Sequence, residues 1–359
     1  MGKTEIRVGM ICCYPPEKAS QGYLIMKLMP QVTGVNFIKI GSFNSNADYK
    51  VNLKSFTLAE SIKALVIKEN LDLLHIQYIA PFFGRYTLNL NLLPIYNLKV
   101  PVVTTIHEVQ TNARSSSLYS VLKSFVLKRI QYQILKKSKV VVVNNHSMAQ
   151  FLKNIYSEAN IAVIPEPCSP QVNKKDKIAN NIIFFGVLSP GKGVEVLLEA
   201  MNYLDGYNLC VAGSLPEKVN LKYLKKIKKI IIRDKLEKKV KLITRDWFAE
   251  SEIHNLYSES DIIIMPYVWG PYNSGIIKDA CEYCLPIVAT DVGFISDPIR
   301  RYGLGLITPV HDPKALAAAI KEVFENYGNY VDNIVRAWSQ LSYVEIANSY
   351  KLLYYNAIK

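Results

Sequence analysis

Short runs of aliphatic and β-branched residues alternate with helix-period segments along the whole chain. Strands are predicted at 6–13, 73–77, 100–107, 140–144 and 162–165, and again at 182–186, 209–213, 240–244, 262–266 and 286–290. Most are continuous apolar runs, as expected of strands covered on both faces of a parallel sheet. Between two of them, Val194, Leu197, Leu198 and Met201 recur at the spacing of one helix face. This rhythm predicts α/β architecture: two doubly wound, Rossmann-like domains. The length of 359 residues agrees, since roughly 150 residues per domain gives a little over two.

The break is expected where Pro165, Pro167 and Pro170 and the polar run from Asn173 to Lys177 interrupt the apolar pattern. Residues 1–170 then form an N-terminal domain and 171–340 a C-terminal one. Open parallel sheets bind ligands at the C-terminal ends of their strands, so two facing sheets predict a site between domains. This much does not choose between an enzyme and a binding protein.

No apolar run approaches the roughly 18 residues that span a bilayer, which predicts a soluble, cytoplasmic protein. The net charge of +13 is uneven. The first 170 residues carry 19 lysines and arginines against nine acidic residues, and residues 215–245 carry 12 against three. Such patches suit an anionic partner, or are simply solvated faces. No nucleic-acid-binding motif accompanies them, so nucleic acid is not expected.

Chemistry concentrates in the second half. Gly186 to Gly193 reads as a strand end, a glycine-containing turn with Lys192, and a helix start, which favours an anion. The Gly-Lys-Ser/Thr order of a Walker loop is absent. Asn273, Ser274, Gly275 and Ile276 open a further helix that carries Asp279, ahead of Leu285-Pro286-Ile287-Val288-Ala289-Thr290. In the first half stand Tyr14-Pro15-Pro16-Glu17-Lys18 with Gly22, His75-Ile76-Gln77-Tyr78 and Thr104-Thr105-Ile106-His107-Glu108, and the chain closes on Ser342-Tyr343, Ala347, Tyr350 and Leu353-Tyr354. In this order the motifs resemble glycosyltransferase family 4, the group 1 glycosyltransferases. That resemblance implies the GT-B fold, with an N-terminal acceptor domain, a C-terminal donor domain, and a final helix, 341–359, packing back on the N-terminal domain.

The resemblance further implies a retaining transferase that moves a sugar from a UDP- or GDP-linked donor to a hydroxyl of a lipid-linked or glycan acceptor. Lys192 would meet the diphosphate, with backbone N–H groups at Ser274, Gly275 and Ile276. Asn273 belongs to the same donor-binding segment, Asp279 would accept from the ribose diol, and Gly22 would admit the diphosphate close to the backbone. His107 would position the donor sugar or acceptor, with the leaving phosphate as base; a satisfied structural histidine is the alternative. His75 and Gln77 read as structural or acceptor-lining, and Glu108 as a hydrogen-bonding group or base. No cofactor and no metal are expected, since Asp-x-Asp is absent.

Three departures from the family pattern stand out: Pro271 and Val187 where a glutamate and an arginine are usual, and Ser20 near an expected glycine. The first two motivate a second reading, a non-catalytic nucleotide-sugar-binding or scaffold subunit. Arg245 is a candidate substitute cation. The pair Cys281 and Cys284 has half-site spacing without a second pair, so packing is its expected role.

The segment 117–139 predicts a helix with Leu118, Val121, Leu122, Phe125, Ile130 and Ile134 at apolar positions and only basic charges. Such a face can lie on anionic headgroups, and the resemblance favours a peripheral membrane role. The alternative is that its apolar side packs on its own sheet.

Overall fold

A computed structural model describes residues 5–17, 19–84, 87–110, 118–171, 178–215, 218–270 and 274–359. The chain divides into two units. The first runs to Pro167 and includes Tyr343–Lys359; the second comprises Cys168–Gly270 and Ser274–Ser342. The limits expected from sequence were residues 170 and 340.

The first unit contains strands β1 (Ile6–Ile11), β2 (Val35–Gly41), β3 (Tyr49–Lys50), β4 (Leu73–Tyr78), β5 (Val102–Ile106), β6 (Val140–Val143) and β7 (Ile161–Val163). Helices α1 (Ser20–Leu28), α2 (Leu58–Lys68), α3 (Leu118–Lys137) and α4 (His146–Ile155) lie between them. The strands pair in parallel in the order β3-β2-β1-β4-β5-β6-β7. β4, β5 and β6 are buried along their whole length, which is why they read as unbroken apolar runs.

The second unit contains β8 (Asn181–Val187), β9 (Asn208–Ser214), β10 (Val240–Arg245), β11 (Ile262–Met265), β12 (Ile287–Thr290) and β13 (Gly305–Thr308). Its helices are α5 (Val194–Ala200), α6 (Lys218–Arg233), α7 (Glu250–Ser258), α8 (Ile276–Glu282), α9 (Ser296–Tyr302), α10 (Pro313–Glu325) and α11 (Tyr327–Leu341). The sheet is again parallel, in the order β10-β9-β8-β11-β12-β13. Both sheets reverse direction of winding beside their first strand, at β1/β4 and at β8/β11, the position where doubly wound sheets hold ligands.

The last helix, α12 (Tyr343–Ala357), belongs to the first unit. Its Ile346, Ala347, Tyr350, Leu353, Tyr354 and Ala357 are buried in one core with Val8, Met10, Leu73 and Val103.

Two basic helices differ in what they cover. α6 buries Tyr223, Ile227, Ile230 and Ile231, while Lys222, Lys225, Lys226, Lys228 and Lys229 stay exposed. It is an amphipathic helix with a solvated lysine face. In α3 the apolar positions divide. Leu127, Ile130, Ile134 and Leu135 are buried, whereas Leu118, Val121, Leu122 and Phe125 are exposed. The expectation that the whole apolar face packs on the sheet therefore fails for its first two turns. No described helix is long and apolar enough to cross a membrane.

Candidate functional site

The loop after β8 is shaped by one glycine. Gly193 has φ +64°, and a Cβ there would lie 2.0 Å from the carbonyl oxygen of Pro266. Only glycine fits both the left-handed backbone and this approach. The contact ties the loop to the segment after β11, where Val268 N–H and Trp269 N–H donate to Gly191 O at 3.0 and 3.2 Å.

Lys192 is thereby carried to Tyr267. Its ammonium lies 3.6 Å from the centroid of the Tyr267 ring, a cation–π geometry. Tyr267 is itself buried, its carbonyl accepts from Thr290 Oγ1, and its hydroxyl lies 3.3 Å from Ser274 Oγ. Lys192 and Ser274, expected to act together, are thus joined through a tyrosine that sequence reasoning did not single out. Ser274 is buried, Gly275 exposed and Ile276 half-buried at the start of α8. Asn273 and Pro271 lie outside the described residues.

Asp279 stands in a separate cluster. Its Oδ2 accepts from the Tyr257 hydroxyl at 3.1 Å, and its Oδ1 pairs with Lys278 Nζ at 2.9 Å. Lys278 also pairs with Glu282 at 2.6 Å. Burial opposes the charge on Lys278, but the two carboxylates outweigh it and hold the ammonium above its ordinary range. Glu282 in turn accepts from Ser169 N–H at 3.3 Å, and its carbonyl accepts from Gln171 N–H at 2.8 Å. Asp279 was expected as an open carboxylate; both of its oxygens already have partners within the protein.

The substitute cation Arg245 is exposed at the end of β10 and pairs with Glu252 at 3.1 Å. Cys281 and Cys284 are buried free thiols; the Cys281 thiol is raised by neighbouring Cys168 and by burial. Among the described residues, no three His, Cys, Asp or Glu side chains gather as a metal-holding group.

In the first unit, a Cβ on Gly22 would fall 1.8 Å from Cys13 O. The glycine is required by the packing of α1 on the end of β1, a reason independent of any ligand. His107 follows the last residue of β5 and is 8% exposed. Its Nε2 is 2.8 Å from Gln77 Oε1, and its Nδ1 is buried without a hydrogen-bond partner. Gln77 contacts His75, whose Nδ1 is 2.7 Å from the Tyr354 hydroxyl and whose Nε2 is 2.8 Å from Thr105 Oγ1. Burial pushes His107 down to about 4; burial, with His107 nearby, pushes His75 down to about 3. Both imidazoles are neutral at pH 7. Burial also raises the neighbouring Glu108 carboxyl.

Comparison with known proteins follows these halves. The family model described as glycosyl transferases group 1 matches residues 166–339, and the model described as glycosyltransferase family 4 matches residues 5–171. An uncharacterised glycosyltransferase of Methanocaldococcus jannaschii is 23% identical over 267 residues, 74% of this chain and 68% of the relative. A glycosyltransferase structure from Rickettsia africae is similar with a TM-score of 0.71 at 19% identity, over 99% of both chains. Anabaena HepE in complex with UDP-glucose is similar with a TM-score of 0.74 at 14% identity, over 98% of this chain and 100% of that one. The two parallel sheets and these neighbours define a GT-B fold, and the family models, one matching each half, support a group 1, family 4-like glycosyltransferase.

Proposed function

We propose that this glycosyltransferase moves a sugar, with retention of configuration, from a UDP- or GDP-linked donor to an acceptor hydroxyl. The observation that carries the donor site is Lys192, held over Tyr267 beside Ser274 at the β8/β11 reversal of the second sheet. A lysine placed there supplies the positive charge that a departing diphosphate needs. HepE, similar over nearly the whole chain, was solved with UDP-glucose, which supports a donor of this class. Backbone N–H groups at Ser274, Gly275 and Ile276, with Asn273 in the same segment, would complete the diphosphate contacts. Asp279 would meet the ribose if Lys278 or Tyr257 yields one of its oxygens. His107 would contact the sugar or acceptor, and Gly22, in α1, would let the loop before that helix approach the diphosphate. The leaving phosphate would take the acceptor proton, with neither metal nor cofactor.

Titration with UDP and GDP by calorimetry, followed by assay of donor hydrolysis, tests this reading. Binding and turnover that are both lost in Lys192→Ala support it, and unchanged kinetics in that variant sink it. The engaged state of Asp279 favours one second reading: a nucleotide-sugar-binding subunit without turnover. Binding of UDP or GDP without hydrolysis or transfer from any nucleotide sugar would select it.

The acceptor proposed is lipid-linked or glycan, and the protein is cytoplasmic and peripheral on an anionic membrane surface. What supports this is α3: Leu118, Val121, Leu122 and Phe125 form an exposed apolar stripe at helical spacing, on a helix whose charges are Lys123, Lys128, Arg129, Lys136 and Lys137, all basic. Apolar insertion plus basic flanks is the chemistry of interfacial binding. Co-sedimentation with vesicles containing phosphatidylserine should fall with salt and fall further in Phe125→Ser. Equal sedimentation with neutral vesicles would remove the anionic-surface reading.

A further inference from the structure

Five polar side chains and one thioether meet in the first unit's sheet. Met10 of β1 is in register with His75 of β4, and Gln77 of β4 with Thr105 of β5. His75 and Gln77 are two residues apart, so they share a face, as do Thr105 and His107. α12 adds Tyr354 from the far end of the chain. All are buried.

The protons in this group admit two arrangements. In one, His107 Nε2–H donates to Gln77 Oε1, and the Gln77 amide nitrogen donates toward His75. In the other, the Gln77 amide is turned over and His107 Nε2 must accept, which moves its proton to Nδ1. The hydroxyls of Thr105 and Tyr354 donate or accept and serve either arrangement. Met10 does not: its Sδ is 3.6 Å from Gln77 Nε2, and a thioether can only accept. Turning the amide would set the carbonyl oxygen against the sulfur and lose that bond. The amide orientation follows from this network rather than from hydrogen positions.

We propose that Gln77, its amide oriented by Met10, is a positioning residue that holds His107 in the Nε2–H tautomer. Nδ1 is then an unprotonated acceptor, and the group His107 takes is a hydroxyl of a sugar or acceptor, not a phosphate oxygen, which has no proton to donate. The unpartnered state of Nδ1 fits this, because a buried acceptor without a donor carries a desolvation cost that a ligand hydroxyl would recover. The neutrality of both rings at pH 7 makes the choice one of tautomer rather than charge. The inference deepens the reading of His107 as a contact to the reacting sugars, but its test needs no sugar.

The full chain carries five histidines, few enough for a 15N-histidine-labelled sample to be read by two-bond proton–nitrogen correlation. His107 is assigned by the signals lost in His107→Asn. At pH 7.5 the wild type should show an unprotonated Nδ1 and a protonated Nε2 at His107. Met10→Leu, a volume-conserving change that the core tolerates, should move the two nitrogen shifts toward each other as both arrangements populate, and Gln77→Met should do the same. A protonated Nδ1 in the wild type overturns the proposal, as does a His107 spectrum unchanged in Met10→Leu. Failure of UDP and GDP to bind would instead remove the donor reading and leave these spectra as they are.

Discussion

Lys192 and Tyr267 form a cation–π pair 3.6 Å from ammonium to ring centroid, and the same ring carries the hydroxyl that reaches Ser274. The tyrosine therefore joins the two loops of the second unit that follow the C-terminal ends of β8 and β11. A cation–π contact is worth ~1–2 kcal/mol when partly desolvated, or about 5- to 30-fold in an equilibrium constant. Tyr267→Leu should weaken UDP or GDP binding by about that factor in calorimetry, whereas Tyr267→Phe, which keeps the ring, should remain within about threefold. Equal losses in both variants would locate the effect in the hydroxyl instead.

Gly193 gives a stability test of the same loop. A methyl at φ +64° and 2.0 Å from Pro266 O is excluded without backbone movement, and such strain costs on the order of 1–3 kcal/mol. Gly193→Ala should lower the urea midpoint accordingly. Gly328 in α11, where a Cβ meets nothing within 4 Å, is the contrast: Gly328→Ala should raise stability by up to about 1 kcal/mol.

Removing the cation of the Asp279 cluster should be costly. Lys278→Met leaves Asp279 and Glu282 facing each other in a largely buried setting, with side-chain exposures of 21% and 12%. A loss of ~2–4 kcal/mol is expected in chemical denaturation, larger at pH 8 than at pH 5, because burial raises the Glu282 carboxyl and its protonation relieves the repulsion. A loss that does not change with pH would assign the effect to packing.

Stability should also fall on mild acidification. His75 and His107 are held at about 3 and about 4 by burial, against about 6.5 in an unfolded chain. Below pH 6.5 the unfolded state therefore takes up protons that the folded state refuses. Each histidine withdraws ~1.4 kcal/mol of stability per pH unit until its folded value is reached. Glu108 and Glu282, whose carboxyls burial raises, act in the opposite sense as they protonate. Urea midpoints at pH 7.5 and 5.5 should show the fall, and His107→Asn should reduce it; a flat profile in the wild type would contradict the burial of the two neutral rings.

The strands most plainly legible in the sequence are those buried along their whole length, such as the four valines of β6 and the isoleucines of β11, although β7 and β10, largely half-buried or exposed, also read as strands. Sequence reasoning missed β2, where Asn36 and Lys39 interrupt the apolar run, and the short β3 and β13 at sheet edges. β3 is only Tyr49–Lys50 and β13 opens on a glycine, so neither carries a continuous apolar run. At the site, Lys192 and Ser274 were legible because turn chemistry marks them locally. Tyr267 was not, since its role exists only once neighbouring strands β8 and β11 bring two loops together. Asp279's partner Tyr257 comes from α7, again a relation of packing rather than of spacing. Met10, an ordinary core residue in sequence, orients an amide only through a register between β1 and β4.

α12 completes the core of a unit whose sheet strands all precede residue 164. During synthesis that unit leaves the ribosome first, yet the core it builds from residues such as Val8, Met10, Leu73 and Val103 lacks its last contributors until Ile346 to Ala357 emerge. Domains usually fold in the order in which they are made. Here the first to be made has to wait for the second, and the nascent chain exposes an unfinished sheet throughout the interval, a natural client surface for chaperones that guard apolar segments.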